Sequence, residues 1–347
     1  TRTFTPGEAG SHHLVARLRA LGTRPFQRGY SWDQQSFETV FSYLIRACLP
    51  KPGETVEAFT TLVREARLPE ARLVELAVYA PQWAPFVEHT IGWEGLAEAV
   101  WWVHAHTKTS QWSVDQELRE LWKADLSTRT ELTGDDLLEG GVDVAWFHRM
   151  YEVLRRARWE SVYDAAKFAS NGIGHARARL FADAMLGDIS KADLGGRIAK
   201  QRHQDAVRAL GLLPLARGKK KDVDVLERYQ SIQEFIRGSR QFGSMRQASE
   251  KRAAQIGLDN LARSAGFADP IRLQWAMEAR AIADLADGPI TAQAGDVDVS
   301  LAINAWGDIE LTATKAGRAL ADIPAKLKNE PTIKALRDRK VAVKRQA

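Results

Sequence analysis

Along most of the chain apolar residues recur at three- and four-residue steps, the spacing that lines one face of an α-helix. Residues 33–49 and 54–68 carry it, and Pro69 and Pro81 bracket a third run, proline suiting a first turn and an exit. Trp93 to His106 reads as another helix, and Ser113 to Gln116 has capping-box spacing ahead of Leu118, Leu121 and Trp122. Asp143 is placed to cap a half-buried helix through Phe147, Tyr151 and Leu154. Ser161 with Asp164 is expected to open the next, Asn171-Gly172-Ile173-Gly174 to break it, and a further helix to stop at Gly187. Ser190 with Asp193 then starts a helix expected to end near Gly211 and Pro214.

Periodicity vanishes at residues 214–222, where three lysines adjoin a glycine, and a basic linker is expected there. Beyond it come two long helical patterns, 223–241 and 244–265, and Asp269-Pro270 supplies N-cap and first-turn proline for a third. After Gly288-Pro289 the period changes to two: Val297, Val299, Leu301 and Ile303 alternate with polar or small residues, and Ile309 and Leu311 resume beyond Trp306-Gly307-Asp308. That pattern predicts a single β-hairpin, followed by a turn at Pro324 and a basic helix. The expected fold is therefore mainly α, an irregular or solenoid-like stack of helix pairs with one small β-hairpin near the C-terminal end. Its expected divisions are a tryptophan-rich array over 1–213, the linker 214–222, a helical subdomain over 223–288, and the hairpin with its basic helix over 289–347.

Composition sharpens this picture in three places. Eight of the eleven tryptophans fall between Trp83 and Trp159, which predicts a packed aromatic layer. The lone cysteine, Cys48, lies in an apolar run, so it reads as a buried small side chain with no intrachain disulfide partner, and a cytoplasmic location is expected. No run has the length and apolarity of a membrane span. Net charge is +5, but residues 311–347 alone hold ten Lys or Arg against three Asp or Glu, leaving the rest of the chain slightly acidic. The chain begins at Thr1 and stops inside a helical pattern, so it is expected to be part of something longer.

Candidate chemistry is sparse. Gly172-Ile173-Gly174 before a helix is a weak phosphate cradle, lacking the rest of a dinucleotide fingerprint. His104 and His106 stand two apart, and a helix turns such a pair by about 200°, which disfavours a shared metal. Asp135, Asp136 and Glu139 beside Gly140-Gly141 read as a turn rather than a cation site. Arg17, Arg19, Arg24 and Arg28 precede Tyr30 and Trp32, an alternation of cations and rings. A polyanion could be met by Lys219, Lys220, Lys221, Arg237, Arg240, Arg246, Lys251 and Arg252, although acids interrupt them. His148, Asn171 and His175 are the polar residues nearest the aromatic stretch and form a third candidate site. No nucleophile elbow, phosphate loop, zinc-protease or kinase motif is present, and neither a cofactor nor a metal is expected.

Several segments carry a family likeness: Gly92 to His106, Ala145 to Met150, Phe168 to His175, Glu227 to Gln230, Arg240 to Gly243, Arg246 to Ser249, Lys315 to Leu320 and Ala325 to Lys328. Together they resemble the large bacterial MolR-like proteins, described as possible molybdate metabolism regulators. Some relatives carry a WGR module, a motif not seen in this chain. The resemblance implies an internal or C-terminal portion of a longer protein, working with a MoxR-type AAA+ ATPase and a von Willebrand A-domain protein. It transfers no catalytic residue. The expected function is a non-catalytic scaffold that offers helical surfaces to protein partners. The alternative is a nucleic-acid-binding module using residues 219–252 and 326–345.

Overall fold

The structure, a computed structural model, describes residues 9–28, 36–107, 114–170 and 174–344. Its contacts divide the chain into two units, residues 1–214 and 215–347. Mainly helical architecture with a small sheet near the C-terminal end is what the periodicity predicts, and it is what the chain adopts.

The first unit holds helices α1 (Ser11–Leu21), α2 (Phe37–Arg46), α3 (Val56–Glu65), α4 (Glu70–Tyr79), α5 (Ala84–Ile91) and α6 (Leu96–His106). It continues with α7 (Gln116–Ser127), α8 (Gly134–Glu139), α9 (Val144–Ala165), α10 (Ala176–Leu186), α11 (Lys191–Gln201) and α12 (Gln204–Leu210). Short polar side chains start many of them by accepting a backbone N–H that the helix leaves unpaired. Ser36, Thr55, Thr133, Asp143 and Ser190 do so for α2, α3, α8, α9 and α11, and Thr133 and Ser190 form reciprocal boxes with Asp136 and Asp193. Ser113 lies outside the described residues, and the residue before α7 is Asp115. Chain neighbours are often spatial neighbours, as with α1 and α2 or α5 and α6, while α9 also packs on α4 and α6. Between them sit the fully buried Trp83, Trp101, Trp102, Trp122 and Trp146.

Two helix boundaries differ from expectation. Ser161 and Asp164 open no new helix; they lie within α9, where the Ser161 hydroxyl bonds back to Ala157 O. The interruption falls instead at Arg155, whose φ of 67° and ψ of 166° leave helical space. Its packing reason is legible: Trp146, Phe147, Met150 and Leu154 are buried at helical steps, then Trp159 follows after five residues. A straight helix would turn Trp159 away from that face, whereas the reset brings its ring within 5.3 Å of Phe147 and 5.9 Å of Trp102. The helix begun at Ser190 ends at Gln201 instead of near Gly211, because Arg202 takes a left-handed conformation and α12 restarts after His203.

The second unit holds α13 (Lys221–Gly238), α14 (Ser244–Ala265), α15 (Pro270–Ala281), α16 (Ala283–Ala286) and α17 (Pro331–Lys344). Residues 218–220 form a 3-10 turn and α13 begins at Lys221, so part of the expected linker is helical. Asp269 caps α15 with Pro270 in its first turn. The expected hairpin is the centre of a four-stranded antiparallel meander: β1 (Ile290–Ala294), β2 (Val297–Ile303), β3 (Ile309–Lys315) and β4 (Arg318–Leu320). The outer strands lack strong alternation and are recruited by pairing, Ala292 opposite Val299 and Thr314 opposite Ala319. Val297, Val299, Leu301, Ile309 and Ala313 form the inner face, covered by Ile333, Leu336 and Val343 of α17 and Leu285 of α16.

Candidate functional site

Helix α6 carries the histidine pair into the aromatic layer. His106 stacks on Trp102 at 4.2 Å, and its Nδ1 lies 2.8 Å from Trp102 O while its Nε2 faces the Asp143 N–H at 3.4 Å. Those partners assign the proton to Nδ1. His104 reaches the other way and donates from Nε2 to Val78 O at 2.8 Å. Burial disfavours the imidazolium and pulls both groups down to about 4. Both are therefore neutral near pH 7, point apart, and hold backbone groups of other segments in place. Among the described residues no cluster of three His, Cys, Asp or Glu could hold a metal.

Next to them Gln82 and Trp83 tie down the end of α2. Gln82 Nε2 donates to Arg46 O and Cys48 O, Trp83 Nε1 donates to Cys48 O at 2.7 Å, and Trp122 Nε1 donates to Gln82 Oε1. Cys48 is buried. Nearby, four side chains stack in one column. The Arg72 guanidinium lies 3.8 Å from the Phe26 centroid, Phe26 stacks on Tyr79 at 4.5 Å, and Arg46 covers Tyr79 at 3.8 Å. Burial pushes the Tyr79 phenol up, partly opposed by Arg46, and pulls Arg46 down.

Sequence reasoning missed a buried charge cluster. Asp205 Oδ1 accepts from Arg177 Nε and Arg208 Nη1, each at 3.0 Å, and Arg177 also donates to Leu138 O. These bonds stitch α8, α10 and α12 together. Burial, with the neighbouring Arg177 charge, lowers Arg208 to about 10 against the pull of Asp205 and Glu139. Gly140 has φ +99°, and a Cβ there would stand 2.6 Å from Arg208 Cδ, so both backbone and neighbour require glycine. Asp136 is spent on the Thr133 box, which accounts for one member of the expected acidic turn.

The third candidate site falls partly outside the described residues. His148 is exposed on α9, His175 binds Ser170 through its backbone N–H at 2.9 Å, and Asn171 lies outside the described residues. Tyr30, Trp32, Gly172 and Ile173 lie outside them too.

The polyanion set is distributed. Lys219, Lys220 and Lys221 sit at the start of α13 and Arg237 near its end, about 24 Å away at the helical rise. Lys221 Nζ reaches Ala265 O at 3.4 Å. Arg246 stacks on Phe242 at 3.8 Å and bonds Glu250, whose side chain is buried, at 3.0 Å. Arg240, Lys251 and Arg252 remain on the surface. In the basic end, Lys315, Lys328 and Arg339 are paired with Asp296, Asp322 and Asp284, and Arg337 donates to Lys328 O.

The exposed apolar groups are more distinctive. Helix α15 buries Leu273, Met277 and Ala281 on one side and leaves Ile271 58% and Trp275 64% exposed on another. These two stand four residues apart, and Ala279, one further turn along, enters a groove of about 560 Å³ with Val225, Ala265, Phe267, Ala276 and Ala283. Arg280 and Asp222 pair at its rim.

Comparison with known proteins returned no match among curated proteins and none among solved structures. One family match was found, over residues 5–277, to the family described as "Family of unknown function (DUF5724)". Since that match spans more than half of the sequence, including all of the first unit's described helices together with α13, α14 and the first part of α15, the chain belongs to the DUF5724 family.

Proposed function

We propose that the chain is a non-catalytic helical interaction region of a larger protein of the MolR-like kind, and that its partner is a protein, in first place a MoxR-type AAA+ ATPase. The observation that carries this reading is the exposed Ile271–Trp275 strip beside the alanine-floored groove. Large apolar side chains left in water on a regular helix are what a docking surface needs, because burying them against a partner gains about 1.5–3 kcal/mol each. In the aromatic layer, in contrast, Gln82, Trp83, His104 and His106 hold backbone groups of neighbouring segments.

The test is a calorimetric titration of the full chain with a purified MoxR-type AAA+ ATPase. Binding is expected, and Ile271→Ser with Trp275→Ser should weaken it at least tenfold while Trp306→Ala leaves it unchanged. Absence of binding, or binding indifferent to the α15 pair, would reject the reading. The nucleic-acid alternative is favoured by exposed Lys219, Lys220 and Arg240 but opposed by their separation along α13. Its signature is DNA affinity falling steeply with salt and lost on replacing Arg240 and Arg246 together.

A further inference from the structure

The turn joining β2 to β3 is built rigidly around a side chain that the fold does not use. Asn304 Oδ1 accepts the N–H groups of Trp306 and Asp308 at 3.0 and 2.8 Å, Asn304 N donates to Asp308 O, and Gly307 N donates to Asn304 O. Gly307 takes φ +84°, closing the turn where a side chain would be strained. Trp306 projects from this frame with 89% of its surface exposed, the highest among the described large apolar residues.

The stretch of chain around it carries charge of one sign, with Asp308 and Glu310 at its own end of the hairpin and Asp296 and Asp298 at the other. Residues 281–314 contain six acids, Asp284, Asp287, Asp296, Asp298, Asp308 and Glu310, and no lysine or arginine. Asp284 and Asp296 are paired with Arg339 and Lys315, whereas Asp298, Asp308 and Glu310 have no ion pair among the described residues. The register puts Glu310 opposite Ala302 and Asp298 opposite Thr314, on the solvent face of the sheet with Ser300 and Thr312. A phosphate-bearing surface would be repelled here. A cation is favoured twice, by the indole face and by the carboxylates.

We propose that the β2–β3 tip is a recognition site for a lysine- or arginine-bearing segment of a partner protein, Trp306 supplying the cation–π face and Asp308 and Glu310 the counter-charge. The inference rests on and deepens the reading of the chain as an interaction region by naming a partner chemistry, and it uses residues other than those of α15.

The experiment titrates the full chain into a fluorescein-labelled dodecapeptide of alternating lysine and serine, read by anisotropy. Matched glutamine–serine and glutamate–serine peptides serve as controls. Trp306→Ala should weaken lysine-peptide binding about two- to fivefold, the effect of one exposed cation–π contact. Asp308→Asn with Glu310→Gln should weaken it further and flatten its salt dependence. All three positions are exposed, so circular dichroism should be unchanged. The proposal is overturned if Trp306→Ala binds like the parent chain, if the glutamine peptide binds as tightly, or if the tip instead binds DNA or phosphatidylglycerol vesicles through Trp306. Failure here with intact, α15-dependent ATPase binding removes the tip site alone. Loss of ATPase binding with the peptide response preserved removes the α15 reading alone.

Discussion

The two units put the same residue to opposite uses. In the first, Trp83, Trp101, Trp102, Trp122, Trp146 and Trp159 are each at most 3% exposed, whereas both tryptophans of the second, Trp275 and Trp306, are 64% and 89% exposed. An indole inside fills volume and fixes helix angles; an indole outside leaves its transfer free energy unrealised. Histidine divides the same way: all eight lie at or before His203, so every one belongs to the first unit. The first unit therefore holds the buried imidazoles, and the second the most exposed of the described large apolar side chains.

The sharpest way to break this contrast is to remove one tryptophan from each unit. Trp102→Ala should cost about 3–5 kcal/mol, because it opens a void among Phe147, Trp159 and His106. Trp306→Ala should change stability by less than about 0.5 kcal/mol. Urea denaturation of the two variants checks both, and equal costs would erase the distinction.

Acid should separate the units next. His104 and His106 are held near 4 in the folded chain but titrate near their ordinary value of 6.5 when unfolded. The unfolded state thus binds more protons, so the stability they contribute is fully present above about pH 6.5 and is lost as pH falls toward 4. The loss should be on the order of 2–3 kcal/mol per group. Urea midpoints of the first unit's transition at pH 7, 5.5 and 4.5 should fall, and replacing both histidines with glutamine should flatten the trend. A trend unchanged by that replacement would show that carboxylates, not the imidazoles, set it.

The smallest effect concerns a cap. Asp269→Ala removes the acceptor for the Arg272 N–H and should destabilise α15 by about 1 kcal/mol, seen as faster amide exchange in its first turn. The same change should weaken α15-dependent binding, since Ile271 sits in that turn.

Much of the helical framework was legible because caps are local chemistry. Ser190 with Asp193, Asp143, and Asp269 with Pro270 announce helix starts by residue type and spacing alone. The interruption at Arg155 carries no glycine or proline; it follows from where Trp159 must pack, which only the assembled layer decides. The outer strands β1 and β4 were hidden because alanine, threonine and glutamine become strand by having a neighbour to pair with. Of the candidate site, the tip turn was readable from Trp306-Gly307-Asp308, but the exposure of Trp275 was not, since a tryptophan in a helical pattern ordinarily marks a core. The Arg177–Asp205–Arg208 cluster unites positions 28 residues apart, and nothing in either local stretch signals the other.

The column of Arg72, Phe26, Tyr79 and Arg46 joins α2 and α4 to the segment after α1 by ring faces alone at its centre. Aromatic quadrupoles do not take up protons, and guanidinium keeps its charge in any acid. This seam is consequently acid-proof: where falling pH dissolves carboxylate pairs and forces charge onto the neighbouring imidazoles, it keeps its grip, and these segments should be the last of the first unit to come apart.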